Sequence, residues 1–225
     1  MLNFLYNFYY IMDYSQFQTG DILLFHNISN CKSCYRGVFS CFTDLIMCCS
    51  KSKYSHSAIV IRDPQFTNPP LKGLYVLESS YEAFRDAEDH KYKFGVELEE
   101  FNKVMNDARQ HEEVYWRKLT CVRDKEFYDK LDNIHKNIHN KKYDCFPRDW
   151  LDAGLHKYKG NNKHRVSNFI CSALVAYAYV EWGFLPNNTP WTLITPKMFG
   201  TEKREKNEYN LEFKNCFLDK EIRII

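Results

Sequence analysis

Glycine and proline are scarce, at 8 and 7 of 225 residues. That scarcity excludes a low-complexity or collagen-like chain. No apolar run approaches the roughly 18 residues that signal a membrane-spanning helix. The N-terminus lacks both a basic stretch and a small-residue cleavage site, so no secretory signal is recognisable. No basic run with interleaved aromatics occurs and the formal net charge is +2, which argues against a nucleic-acid binder. There is no phosphate-cradling glycine loop. No serine stands in a Gly-x-Ser-x-Gly setting, which disfavours a serine hydrolase. Internal repeats and long linkers are also missing, so residues 1–225 read as a single domain.

Aromatic residues, by contrast, are plentiful: 16 Tyr and 17 Phe supply ample material for a core. The nine cysteines are an odd number. Without a signal they read as free thiols in a reducing intracellular compartment, the cytoplasm, with a virion or a membrane surface as narrower locations. Residues 1–12 (MLNFLYNFYYIM) are apolar and aromatic but too short to span a bilayer. We read 1–17 as an N-terminal extension docked on the domain, with a membrane-surface foot as the alternative.

Patterning gives the coarse layout. Residues 22–25, 57–61, 74–77, 94–98 and 114–122 read as strands. The segment 26–53 is a cysteine-rich insert in which Val38, Phe39, Phe42, Leu45, Ile46 and Cys49 recur at helical spacing. Phe127, Leu131, Ile134 and Ile138 fall on one face of a helix over 126–140. A second helix is predicted over 168–182, capped by Ser167 or Asn168 and ended by Gly183 in a left-handed conformation. A short helix is read around 150–155. The expected fold class is α+β.

Two distant segments carry the chemistry. In Tyr54-Ser55-His56-Ser57-Ala58-Ile59-Val60-Ile61 a histidine opens an apolar, β-branched run. In Phe169-Ile170-Cys171-Ser172-Ala173-Leu174 a cysteine opens a helix. A helix N-terminus favours a thiolate, because its unpaired N–H groups and its dipole stabilise an anion. The same groups can hold the oxyanion of a tetrahedral intermediate. His56 is the candidate base. Glu78 is the candidate orienting carboxylate: pairing strands 57–61 and 74–77 about a turn near Thr67 sets it opposite His56. Taken singly, each residue also has a plain structural reading. Together they explain one another's positions.

These blocks, with Gly20-Asp21-Ile22-Leu23-Leu24-Phe25, Val76-Leu77-Glu78-Ser79, Lys142-Tyr143-Asp144 and Thr195-Pro196, resemble the circularly permuted NlpC-type papain-like cysteine hydrolases. The resemblance is to the YiiX/YebB-like branch, which includes poxvirus relatives and is similar to lecithin–retinol acyltransferases. It covers residues 18–200 in that family's order. It implies a permuted papain-like fold in which an antiparallel, barrel-like sheet carries the histidine and a later helix carries the cysteine. Residue by residue, Cys171 matches the nucleophile, His56 the base and Glu78 the third polar residue. Gly20-Asp21 matches a motif read as structural. The insert 26–53 has no role in that pattern. No residue clearly matches a side-chain oxyanion donor; Tyr54, His164 and Asn168 are all conceivable, and His164 is a rival base ranked below His56.

Other signals are set aside. Cys31 and Cys34 with Cys48 and Cys49 resemble half a zinc site, but the second pair is adjacent, which suits tetrahedral ligation poorly. The Val38, Phe42, Leu45, Ile46 face reads as core, with a lid or a lipid-facing surface as alternatives. His135 and His139 stand at i, i+4 without the glutamate of a zincin, and read as part of a solvated face. No metal and no cofactor are expected. The functional expectation is a thiol hydrolase that cleaves an amide or peptide bond through a Cys-His-Glu triad and an acyl-enzyme. The alternatives are a lipid acyltransferase or esterase at a membrane surface, in peripheral membrane contact, and a non-catalytic binding module. The expected partner is a peptide, amide or acyl-lipid substrate, with no nucleic acid.

Overall fold

The structure is a computed structural model and describes residues 13–28, 52–80, 85–143, 168–203 and 208–225. Its centre is an eight-stranded sheet built from β1 (Ile22–Asn27), β2 (His56–Arg62), β3 (Leu74–Ser80), β4 (Gly95–Glu100), β5 (Glu112–Arg117), β7 (Lys142–Tyr143), β8 (Asn168–Phe169) and β10 (Ile222–Arg223). The strand order is β10-β5-β1-β2-β3-β4-β7-β8. Every pairing in it is antiparallel except β7 with β8. Strands β10 and β8 stand at opposite ends, so the sheet is open, and the expected barrel-like closure is corrected. A separate ribbon joins β6 (Leu119–Thr120) to β9 (Phe217–Leu218).

The described residues form three α-helices: α1 (Phe101–Ala108), α2 (Lys125–Ile138) and α3 (Cys171–Glu181). The α+β class expected from patterning is what the chain adopts. Both faces of the sheet are covered, which explains why its central strands are apolar without alternation. Ile22, Leu24, Ile59, Ile61 and Leu77 join the core under α2 and α3. Leu23, Phe25, Ala58, Val60 and Val76 join the core under α1. Residues 171–180 are buried all round, as a helix enclosed by protein must be. Trp182, just past its end, stacks on Phe127 of α2 at 5.0 Å and 3°. Gly183 adopts φ +83° and ends the helix as expected.

Gly20-Asp21 is a structural joint. The Asp21 carboxylate is fully buried and accepts from Trp116 Nε1 at 2.8 Å, Leu119 N at 2.9 Å, Gln18 N at 3.0 Å and Arg123 Nη2 at 3.4 Å. Gly20, at φ +95°, would bring a Cβ within 2.8 Å of Leu119 Cδ2. Its carbonyl accepts the Tyr179 hydroxyl at 2.6 Å. The pair thereby ties β1 to β6 and α3.

Further expectations are corrected. The strand expected over 114–122 splits at Lys118, because Leu119 N turns to Asp21 and Asp219 N bonds to the Lys118 carbonyl. The helix expected over 168–182 begins at Cys171, because Asn168 and Phe169 pair with β7 instead. Its N-cap is Ile170, with no side-chain cap. The β2–β3 register is displaced by two residues: Ile59 faces Leu77 and Arg62 faces Leu74, which centres the turn near Asn68 rather than Thr67. Finally, α1 has no counterpart among the expected helices, although Phe101, Val104, Met105 and Ala108 are its buried face. The segments 1–12, 29–51 and 144–167 lie outside the described residues, and with them the readings of the membrane foot, most of the insert, the helix near 150–155, Asp144 and His164.

Candidate active site

His56 is the first residue of β2, where the chain enters the sheet. Ser55 fixes the approach, with both its N–H (2.9 Å) and its hydroxyl (3.2 Å) donating to the Phe25 carbonyl. The His56 ring packs beside Phe25 at 5.2 Å, its cross-strand partner. About a quarter of the side chain is exposed, against 7% for Glu78.

Glu78 is the fifth of the seven residues of β3. Extending the Ile59–Leu77 register along both strands brings Glu78 opposite Ala58 and Ser80 opposite His56. The His56 Nε2–Glu78 Oε2 contact is nevertheless made, on the diagonal. A displacement of two residues keeps the side-chain face, and diagonal neighbours stay within reach of long side chains. With Nε2 committed to the carboxylate, Nδ1 is the nitrogen left for Cys171.

Cys171 is the first helical residue of α3 and 1% exposed. The segment leading into it is held from β3: Ser79 Oγ donates to the Phe169 carbonyl at 2.7 Å. On the other side the first turn is tied by Ser172 Oγ, which donates to the Ile194 carbonyl at 2.6 Å. The first helical bond runs from Leu174 N to the Ile170 carbonyl at 2.9 Å. The N–H groups of Cys171, Ser172 and Ala173 precede it and have no partner within the helix.

The electrostatics follow from this arrangement. Burial works against the His56 imidazolium. The charges and hydrogen bonds of Cys171 and Glu78 outweigh that effect and raise its pKa well above the ordinary value. The sulfur of Cys171 is thus both an electrostatic and a hydrogen-bonding neighbour of the imidazole. The three residues singled out from sequence meet in one place.

A fourth residue has no visible signal in the sequence. Glu97 of β4 sits directly opposite Glu78 and is 1% exposed. Burial, followed by the charge of Glu78, pushes its carboxyl up to about 9, so it is neutral at pH 7. In Val96-Glu97-Leu98-Glu99 the alternation of apolar and acidic residues reads as a half-solvated strand, whereas the glutamates are buried. Only a β3–β4 pairing would have brought Glu97 to Glu78.

The remaining candidates separate. Tyr54 is fully buried, and burial with neighbouring Glu221 and Glu202 raises its pKa, so it is a core phenol in an acidic setting. The backbone of Asn168 lies in β8. Cys31, Cys34, Cys48 and Cys49 lie outside the described residues. The solvated-face reading of His135 is corrected: it is 8% exposed and stacks on Phe66 at 4.2 Å. No described helix is long and apolar enough to cross a membrane. Compared with known proteins, the chain matches no family model, and no curated protein is significantly similar to it.

Proposed function

We propose that the protein is a cysteine hydrolase that cleaves an amide or peptide bond, built on a permuted papain-like arrangement of the NlpC type. The observation that carries this reading is the convergence of Cys171, His56 and Glu78, with the imidazolium favoured by Cys171 and Glu78 beside it. The order of the blocks along the chain supports it further.

In this reading His56 Nδ1 takes the proton from the Cys171 thiol, and the resulting thiolate attacks the substrate carbonyl carbon. The carbonyl π electrons move to oxygen, where the unpaired N–H groups at the start of α3 hold the oxyanion. The tetrahedral intermediate collapses and breaks the C–N bond. The leaving amine takes its proton from His56. A water molecule, deprotonated by His56, then attacks the thioester, releasing the carboxylic acid and returning the proton to the Cys171–His56 pair. Glu78 holds the imidazole by Nε2 throughout, and the buried Ser79 hydroxyl keeps the entry to α3 in place.

The test is covalent labelling with a thiol-directed acyl probe, located by peptide mass spectrometry and followed by a panel of peptide, isopeptide and lipid-ester substrates. Labelling at Cys171, turnover of an amide substrate, and loss of both in Cys171→Ala are expected. Labelling at another cysteine with none at Cys171 would overturn the reading. Turnover of lipid esters with none of amides would move it to acyl transfer.

A further inference from the structure

Among the described residues outside the Cys171 region, one cluster combines metal-ligating side chains with a rigid frame. His135 lies in the last turn of α2 and His139 is its C-cap residue. The i, i+4 spacing sets both rings on one side of the helix. Glu88 comes from the turn between β3 and β4. Its Oε2 lies 2.9 Å from His135 Nε2 and 3.3 Å from His139 Nδ1. The ligand atoms of all three residues lie within 4.8 Å of one another. A tetrahedral zinc ion with bonds of about 2.0–2.1 Å needs ligand atoms roughly 3.3 Å apart, which the two glutamate–histidine separations already approach.

Two of the three ligands are held from behind. His135 is clamped by the Phe66 ring, stacked at 4.2 Å and 24°. The Glu88 backbone is set by Asp86, whose Oδ1 accepts from Glu88 N at 2.7 Å and from Asp89 N at 3.3 Å. Asp86 is in turn pinned to β4 by Leu98 N at 3.0 Å and paired with Lys93 at 3.0 Å. Ala87 N reaches the Leu98 carbonyl at 2.7 Å on the other side. Glu88 is therefore delivered to the two histidines by a turn anchored to Leu98 of β4 through both Asp86 and Ala87. Such support behind the ligands is what a metal site requires.

His139 and Glu88 are 30% and 19% exposed, which leaves a route in from solvent and room for water as a further ligand.

We propose that Glu88, His135 and His139 form a binding site for one divalent transition-metal ion of the zinc class, with two imidazole nitrogens, one carboxylate oxygen and solvent as ligands. Bound there, the ion cross-links the C-terminal end of α2 to the β3–β4 turn. The nitrogen and oxygen donor set separates this site from any site the cysteines could make. It is independent of the Cys171 chemistry.

The test is titration of the metal-free full chain with Zn²⁺ by calorimetry, and with Co²⁺ by visible absorption. One equivalent should bind, with cobalt d–d bands but no sulfur-to-cobalt charge-transfer band, and with a rise in melting temperature. His139→Ala and Glu88→Gln should each weaken Zn²⁺ binding at least about 10-fold while leaving alkylation of Cys171 unchanged. Prior blocking of the thiols should leave binding intact. Absence of binding to the wild-type chain would overturn the proposal. So would binding that survives both substitutions, or that is lost when the thiols are blocked.

Discussion

The Ile59–Leu77 register, extended by one residue, sets Glu78 opposite Ala58 and not His56, yet the Glu78 carboxylate meets His56 Nε2 across the β2–β3 diagonal. The relationship predicts a positioning role. In Glu78→Gln the imidazole keeps a neighbour of the same shape but loses a negative charge, so the His56 pKa should fall, as NMR titration of the ring would show. The rate of acylation should drop by about 10²-fold or more, with the melting temperature little changed. An unaltered His56 titration would remove Glu78 from the site.

Ser79 points away from Glu78 along the same strand and holds the Phe169 carbonyl at 2.7 Å. Phe169 is fully buried, so Ser79→Ala leaves that carbonyl without its donor. A loss of about 1–3 kcal/mol in urea unfolding is expected, together with slower modification of Cys171. Loss of stability without any change in Cys171 reactivity would show that the bond serves the fold alone.

Asp21 separates the structural motif from the site. Its carboxylate gathers four donors from three parts of the chain. Asp21→Ala leaves the buried Trp116 indole N–H without its acceptor, while Arg123 keeps the Thr19 and Leu119 carbonyls, and should cost at least about 1–3 kcal/mol in denaturant unfolding. The pH profile of Cys171 alkylation in the folded fraction should not move.

Glu97 makes the stability of the protein depend on pH. Its carboxyl is raised from an ordinary 4.5 to about 9 in the folded state. Between those values the folded chain holds a proton that the unfolded chain has released. The contribution of Glu97 to stability is therefore fully present below pH 4.5 and declines as pH rises toward 9. Glu97→Gln supplies a permanently neutral isostere. It should raise the melting temperature at about pH 8 and change it far less near the ordinary carboxyl pKa. An equal effect at both values would contradict a buried neutral carboxyl.

How far the sequence reaches is visible in particular elements. Strand β2 and helix α3 announce themselves because burial on all sides leaves an unbroken apolar run, and Gly183 marks the end of α3 by a φ that glycine adopts without strain. His56 and Cys171 are legible because each opens such a run. The β2–β3 register is not, since a shift of two residues keeps every side chain on its face and leaves the pattern unchanged. The start of α3 is hidden because Asn168 and Phe169 are drawn into a parallel pair with β7, a non-local contact that no local signal encodes. Glu97 and His135 escape recognition for the same reason: a charged or titratable residue in a polar-apolar pattern reads as solvated until a distant strand or turn covers it. Helix α1 carries the proper i, i+3, i+4, i+7 spacing, but over only eight residues, too few for periodicity to stand out.

The most direct test of the account is the pH dependence of Cys171 alkylation by iodoacetamide in the wild-type chain and in His56→Ala, read peptide by peptide. The account predicts a wild-type Cys171 that reacts well below the free-thiol pKa of roughly 8.5, and a profile in His56→Ala that moves up to the ordinary thiol range. Identical profiles in the two proteins, both following an ordinary thiol, would contradict it.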